Sequence, residues 1–307
     1  MSAPRVLVTG ASGFLARHLR PRLRAAGAEV HAVSRQPLSG PAADECRWTA
    51  DVADERQARE VVQAVKPDVA VHLGALTHAA PDLGLVLPIF RSALASTVNL
   101  LTALTEQGCR RIVLAGSVEE PTGGAEAQPA SPYAAAKWAA SAYARMFHAL
   151  YGAPIVIARL ALTYGPGQAA RKVIPSTILA LLRGEPPRLS SAARAWDVLY
   201  VDDAIEALAR LVDGGAPDGA TVEIGTGRLT TLRSVIERLV AIVDPTIVPA
   251  FGAMPDRPLT EARAADAAAT AALLGWRATT SLETGLRQTV DWYRAHLDSS
   301  DQHEVAS

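Results

Sequence analysis

The chain has 307 residues, 49% of them apolar, enough to bury one large core or a core with a smaller lobe, and its 30 basic and 31 acidic residues leave a net charge of -1. No run of Lys and Arg is long enough to grip a phosphate backbone or an anionic membrane, which argues against nucleic-acid and membrane partners. Cys46 and Cys109 are too few and too isolated for a disulfide framework or a thiolate metal site, so no metal is expected and a reducing cytoplasm is.

The opening MSAPRVLVTGASG has no apolar stretch suited to a signal peptide, and no run of about 18 apolar residues follows, so a soluble, unprocessed chain is expected. RVLVT (5–9) predicts a strand, residues 14–26 a helix, EVHAV (29–33) a strand and 54–65 a helix. DVAVHL (68–73), a long helix over 85–107, RIVLA (111–115), a helix over 132–151 and PIVIARL (154–160) continue the alternation. Apolar strands alternating with helices predict an α/β fold, a doubly wound parallel sheet of Rossmann type covered on both faces. After residue 160 the rhythm breaks at TYGPGQ and RGEPPRLSS, with helices expected over 172–183, 202–213, 230–243, 266–274 and 281–297. The organisation read from this is a first domain over 1–160 and, over 161–297, a smaller lobe interleaved with the end of the main sheet; the motifs and the resemblance that follow imply a dinucleotide-binding role for the first and a mainly substrate-binding role for the second. Residues 298–307, polar and patternless, are expected to be a disordered tail.

TGASGFLA (9–16) sits where the first strand becomes the first helix. Gly10 suits the tight turn, Gly13 lets backbone N–H groups approach a pyrophosphate, and Ala16 lets helix and strand pack closely. The second strand ends VHAVSRQ, with Ser34 and Arg35 where an acidic residue would meet the ribose hydroxyls of NAD. An arginine there pairs with a 2′-phosphate, so NADP is the preferred cofactor and NAD the alternative; a solvated surface charge is the other reading of Arg35. SPYAAAKWAAS puts Tyr133 and Lys137 four residues apart on one helix face, where an ammonium lowers the cost of a phenolate that exchanges protons during hydride transfer.

Taken together these residues resemble the extended short-chain dehydrogenase/reductase family, in its epimerase/dehydratase branch. The likeness covers nearly the whole chain through TGASGFLA, Asp51, HLGA (72–75), Ser117, Tyr133 with Lys137, RLALTYGPGQ (159–168), LYVDD (199–203), EIGTG (223–227) and LGW (274–276). The resemblance implies cofactor contacts from Gly10, Ser12, Gly13, Phe14, Leu15, Ser34 and Arg35, with Asp51 and Val52 at the adenine, and Leu73, Gly74 and Ala75 at the ribose. Ser117, Tyr133 and Lys137 are implied as the catalytic group, Tyr133 and Lys137 also touching cofactor. It further implies a pocket at the carboxyl ends of the strands, a nucleotide-sugar substrate, and a homodimer through the helices over 85–107 and 132–151.

Several positions depart from the family pattern. Leu162 and Ala93 stand where relatives often have asparagine, and Trp196 precedes Asp197 where they often carry Arg-Asp. Lys172, Arg194, Arg257 and Arg263 are candidates to hold the substrate phosphates instead, with a solvated surface as the alternative. In GSVEEP (116–121), Glu119 falls at the glutamate of a dehydratase-like Ser/Thr-x-Glu pattern, which removes a proton beside the oxidised carbon, although Glu120-Pro121 replaces the usual Val-Tyr. The expectation placed first is an NADPH-dependent reductase acting on a keto carbon, C4, of a nucleotide-activated deoxysugar. A 4-epimerase or 4,6-dehydratase with internal hydride return is the alternative, and a cofactor-binding sensor or scaffold without turnover is the third reading.

Overall fold

The computed structural model describes residues 3–40, 45–123, 126–256 and 262–297. The chain divides into two units. The first runs from the start of the described chain to Leu160 and takes back Ile205–Ile224 and Ala268–Trp276; the second comprises Ala161–Ala204, Gly225–Ala267 and the residues from Arg277 on.

The first unit is built on β1 (Arg5–Thr9), β2 (Glu29–Ser34), β3 (Cys46–Thr49), β4 (Val69–His72), β5 (Arg111–Ser117), β6 (Ile155–Leu160) and β9 (Thr221–Ile224), all parallel in the order β3-β2-β1-β4-β5-β6-β9. The order reverses between β1 and β4, which makes the sheet doubly wound. Its central strands are buried on both faces, so each reads as a continuous apolar run: every residue of β5 is buried, as are Val6, Leu7 and Val8 of β1. One core cluster joins Leu7, Leu100, Leu104, Ile112, Leu114, Phe147 and Ile155.

Helices α1 (Phe14–Ala25), α2 (Glu55–Val65), α4 (Ser96–Gln107) and α5 (Pro132–Tyr151) follow the expected positions closely. Local chemistry sets their ends: Asp54 accepts Gln57 N–H to cap α2, Ser131 accepts Ala134 N–H to cap α5, and Gly108 and Gly152 end α4 and α5 with positive φ. The expected uninterrupted helix over 85–107 is instead composite. A 3₁₀ turn (Leu83–Leu85), α3 (Val86–Ile89) and a π turn (Phe90–Ala95) precede α4. The widened turn goes with Ser92, whose Oγ accepts Leu76 N–H, and Ser96, whose Oγ donates to the Ser92 carbonyl. Although it contains no 18-residue apolar run, Leu83–Gln107 is long and apolar enough, at mean hydropathy 1.4, to cross a membrane by length and composition. Here α4 packs on α2 and the π turn packs on α5, with Ile89, Ala93, Leu100, Leu101 and Leu104 buried.

The second unit carries a three-stranded sheet, β10-β8-β7, from β7 (Leu162–Tyr164), β8 (Ala195–Tyr200) and β10 (Leu229–Thr231), with α6 (Val173–Leu182), α8 (Leu232–Val243) and α10 (Leu282–Ala295). Leu189, Ala192 and Ile236 form its core with Phe251. Asp197 of β8 is fully buried and accepts hydrogen bonds from Thr226 N, Thr226 Oγ1, Gly227 N and Ala265 N, which ties two loops to the strand. The helix α7 (Val201–Val212) leads from the second unit into the first, and α9 (Ala267–Leu274) ends at the LGW segment. The tail expected over 298–307 lies outside the described residues.

Candidate active site

The turn after β1 is forced by backbone, not side chains. Gly10 has φ +70°, and a Cβ added there would sit 2.6 Å from the backbone N and Cα of Gly74, so the loops after β1 and β4 touch through two glycines. Gly13 stands as N-cap of α1 with no side-chain cap, which leaves the helix N-terminus to an outside acceptor. Ser12 is exposed, and Phe14 and Leu15 are half-buried on the first turn. This narrow glycine cradle against an uncapped helix start fits a dinucleotide pyrophosphate.

Below the cradle, His72 at the end of β4 is buried; its Nδ1 meets Thr9 Oγ1 at 2.6 Å and its Nε2 meets Ser96 Oγ at 3.4 Å. Ser96 spends its own proton on the Ser92 carbonyl, so Nε2 is the donor and His72 is neutral. Burial first, and then the charge of Lys137, push its pKa down to about 3. Leu73, Gly74 and Ala75 follow directly and are half-buried. Asp51 and Val52, half-buried after β3, lie in a turn closed by Asp51 Oδ1 accepting Ala53 N–H. Ser34 is buried and donates to the Gln36 carbonyl, while Arg35 is exposed at the end of β2.

The implied catalytic residues meet at the end of β5. Ser117 is its last residue, two beyond the expected strand end, and is buried. Tyr133 and Lys137, one turn apart on α5, are 9% and 3% exposed. Lys137 Nζ donates to the Ala115 carbonyl at 2.8 Å, and the Ser117 side chain acts on the Tyr133 hydroxyl so as to favour its ionised form. Ser117 Oγ also accepts the Glu119 N–H at 3.1 Å, so its own proton is available to Tyr133. Burial raises the Tyr133 pKa far above its ordinary value, and the charges of Glu119 and Glu120 raise it further, against the effect of the Ser117 side chain. Burial pulls Lys137 down to about 8, partly opposed by Glu120.

Glu119 and Glu120 behave differently despite being adjacent. Glu119 is half-buried, and its carboxylate acts on Tyr133 more strongly than that of Glu120 does. Glu120, a departure from the family pattern in sequence, is 2% exposed. Its Oε1 accepts Ser117 N–H at 2.7 Å and its Oε2 pairs with Arg159 Nη2 at 3.2 Å. Arg159, on β6, also reaches Glu223 at 3.3 Å.

In the second unit, Lys172 is the N-cap of α6, Arg194 lies over the Trp196 ring at 5.7 Å, and Arg263 is half-buried just before Ala265. Arg257 lies outside the described residues. Among the described residues, Glu29, His31 and Cys46 bring ligand-type atoms within 4.8 Å of one another. However, Trp48 Nε1 donates to His31 Nδ1, so Nε2 carries the proton that faces Glu29 and has no lone pair for a metal.

A doubly wound sheet with a glycine cradle at β1 and a Ser, Tyr and Lys group at β5 defines a nicotinamide-dependent oxidoreductase. The model of the NAD dependent epimerase/dehydratase family matches residues 6–225. The dTDP-glucose 4,6-dehydratase of Mycolicibacterium smegmatis is 31% identical over 95% of this chain and 94% of its own length, and a probable dTDP-glucose 4,6-dehydratase of Sinorhizobium fredii is 30% identical over 94% and 92%. Among solved structures, MoeE5 in complex with UDP-glucose and NAD superposes with TM-score 0.85 at 29% identity, covering 95% of this chain and 99% of that one. The UDP-glucose 4-epimerase of Thermotoga maritima, with UDP-glucose, gives TM-score 0.86 at 25% identity over 95% and 99%. The chain belongs to the NAD dependent epimerase/dehydratase family and is an NAD(P)-dependent oxidoreductase of that type.

Proposed function

We propose that this enzyme is a nucleotide-sugar 4,6-dehydratase: it oxidises C4 of a nucleoside-diphosphate hexose, eliminates water across C5 and C6, and returns the hydride. The observation that carries this reading is the Glu119 carboxylate beside the Tyr133–Ser117 pair. A net reduction, the reading placed first from sequence, needs a proton donor at one oxygen but no second carboxylate, and the similar proteins give it no support. The named activities of those relatives support internal hydride return.

A nicotinamide held at this site would supply a reversible acceptor for the hydride of the sugar carbon. The protein's share is proton handling. Tyr133 takes the C4 hydroxyl proton while Ser117 Oγ orients that oxygen; in the free protein burial and the two glutamates oppose the phenolate this needs, so the charge of Lys137 and the cation of a bound nicotinamide are what would favour it. Glu119 removes the proton from C5, which the new C4 ketone makes acidic, and the same carboxylic acid then protonates the departing C6 hydroxyl. The hydride returns at C6 of the C5–C6 double bond, C5 takes a proton from solvent and Tyr133 releases the one it accepted, so the balance is one water lost with no net redox change. Gly10, Ser12, Gly13, Phe14 and Leu15 would hold the pyrophosphate, Asp51 and Val52 the adenine, and Leu73, Gly74 and Ala75 the ribose.

NADP is the cofactor proposed, on the strength of Ser34 and exposed Arg35 at the end of β2, where a carboxylate would repel a 2′-phosphate. Lys172, Arg194 and Arg263 are the side chains of the second unit proposed to meet the substrate diphosphate. A homodimer through Leu83–Gln107 and α5 is supported by exposed Leu83, Leu87, Phe90, Tyr143, Leu150 and Tyr151, and a cytoplasmic setting by two unbridged cysteines. The test is incubation of the NADP⁺-loaded protein with dTDP-glucose and UDP-glucose. A product lighter by one water, carrying one solvent deuterium at C5 and formed without net change in nicotinamide absorbance, is expected. An isomer of unchanged mass indicates a 4-epimerase instead, and stoichiometric consumption of NADPH by a keto sugar restores the reductase.

A further inference from the structure

The residue outside this mechanism that its geometry most engages is Glu120. The end of β5 is fastened to it from two sides: its carboxylate accepts the Ser117 N–H at 2.7 Å, and its own N–H donates to the Ser117 carbonyl at 3.1 Å. The carboxylate occupies space that a side chain on Gly116 would fill, since a Cβ there would lie 2.7 Å from Glu120 Oε1 and 3.0 Å from Ile157 Cγ2. Gly116 is in register with Arg159 across the β5–β6 pair, so the guanidinium that neutralises the carboxylate comes from the neighbouring strand at the same level. The Glu120 side chain is 0% exposed and that of Arg159 is 14% exposed, which keeps water from competing for either. A buried carboxylate stays where its partners are, because losing them costs far more than losing a surface pair.

We propose that Glu120 is a positioning residue for the catalytic hydroxyl: seated against Gly116 and paired with Arg159, its carboxylate holds the Ser117 peptide and thereby fixes the Ser117 Oγ facing Tyr133. The inference rests on the proposed role of Ser117 and Tyr133. It predicts that Glu120 acts through Ser117, which a general packing role would not do. Glu120 also acts electrostatically on Lys137 and Tyr133, and Glu223 shares its arginine, so a change of charge alone must be separated from a change of position.

The separation comes from a double-mutant cycle on the NADP⁺-loaded protein, with dTDP-glucose and UDP-glucose as probes. Glu120→Gln is expected to lower kcat tenfold or more with KM and cofactor affinity within about threefold, and to lose most of that effect in a Ser117→Ala background. Gly116→Ala, which keeps every charge and displaces the carboxylate, is expected to match it. Hydrogen exchange of the Ser117 amide, read without substrate, is expected to speed up at least tenfold in both variants. Equal losses in both backgrounds, an unchanged kcat, or unaltered Ser117 exchange would overturn the proposal. If neither variant folds, Arg159→Lys carries the same cycle. Should Tyr133→Phe keep full turnover, the site reading itself fails; should Tyr133→Phe be inactive while Glu120→Gln is normal, only the role of Glu120 fails.

Discussion

Lys137→Met should make the cofactor-free protein more stable at neutral pH while abolishing turnover. The ammonium is 3% exposed, and burial lowers its pKa from 10.5 to about 8. That fall is a cost of about 3 kcal/mol carried by the folded state wherever the lysine is charged in both states, below pH 8. Methionine of similar reach removes the cost and forfeits the hydrogen bond to the Ala115 carbonyl, worth about 1–2 kcal/mol, for a net gain of about 1–2 kcal/mol at pH 7. Removing the cation does not orphan Glu120, which keeps Arg159. Between pH 8 and 10.5 the unfolded chain holds a proton on Lys137 that the folded chain has lost, so wild-type stability from this group rises with pH. The Met variant lacks that rise, so the gap should close by about pH 9 and reverse by about pH 10, where the lost hydrogen bond to Ala115 leaves the variant about 1 kcal/mol less stable. Cys109, whose thiol burial pushes up to about 11, contributes the opposite slope above pH 9 but equally in both proteins. Urea denaturation followed by tryptophan fluorescence at pH 7 and 9 reads the difference directly. A variant less stable than wild type at pH 7, or a gap that does not move with pH, would refute the reasoning.

Gly10→Ala must place a Cβ 2.6 Å from the Gly74 backbone at φ +70°, a strain of about 1–2 kcal/mol from the left-handed backbone alone. Cofactor affinity, measured by fluorescence titration, should fall more than tenfold. Arg35→Ala should weaken NADP⁺ at least tenfold by calorimetry and leave NAD⁺ within about twofold; equal loss for both would return Arg35 to the solvent. Asp197→Ala strips the acceptor from three backbone amides and Thr226 Oγ1, and should destabilise the protein by about 3–5 kcal/mol in urea unfolding.

The buried strands of the first unit were legible because burial on both faces writes uninterrupted apolar runs. Strand β3, reading CRWT at the sheet edge with three of its four residues exposed, has no such signature, and β7, β9 and β10 are three or four residues long. In the site, Tyr133 and Lys137 were visible because their spacing is a helical turn, and the glycine turn because it stands between a strand and a helix. Glu120 was not, since its ion-pair partner, Arg159, comes from the neighbouring strand. Its signal existed in the pairing of Gly116 with Arg159, which appears once RIVLAGS and IVIARL are set side by side as parallel neighbours. Local periodicity finds elements; the contacts that orient a side chain are written in register.

On the proposed reaction, two carboxylates near a tyrosine that must ionise oppose the chemistry unless each is dealt with separately, and the fold treats the two differently. Glu120 is buried but offset by Arg159, so it adds less to the Tyr133 barrier than Glu119 does. Glu119 is left half-exposed, where water screens it until substrate arrives. On the proposed reaction this sets an order. Phenolate and carboxylate repel while both are charged, so proton transfer from the C4 hydroxyl to Tyr133 relieves Glu119 first, and only then does Glu119 need its charge to reach C5. If that order holds, Glu119→Gln should make Tyr133 ionise more readily, moving the acidic limb of C4 oxidation to lower pH, while exchange of the C5 hydrogen with solvent stops. A Glu119→Gln enzyme that still exchanges C5, or an acidic limb that moves upward, would remove Glu119 from the reaction.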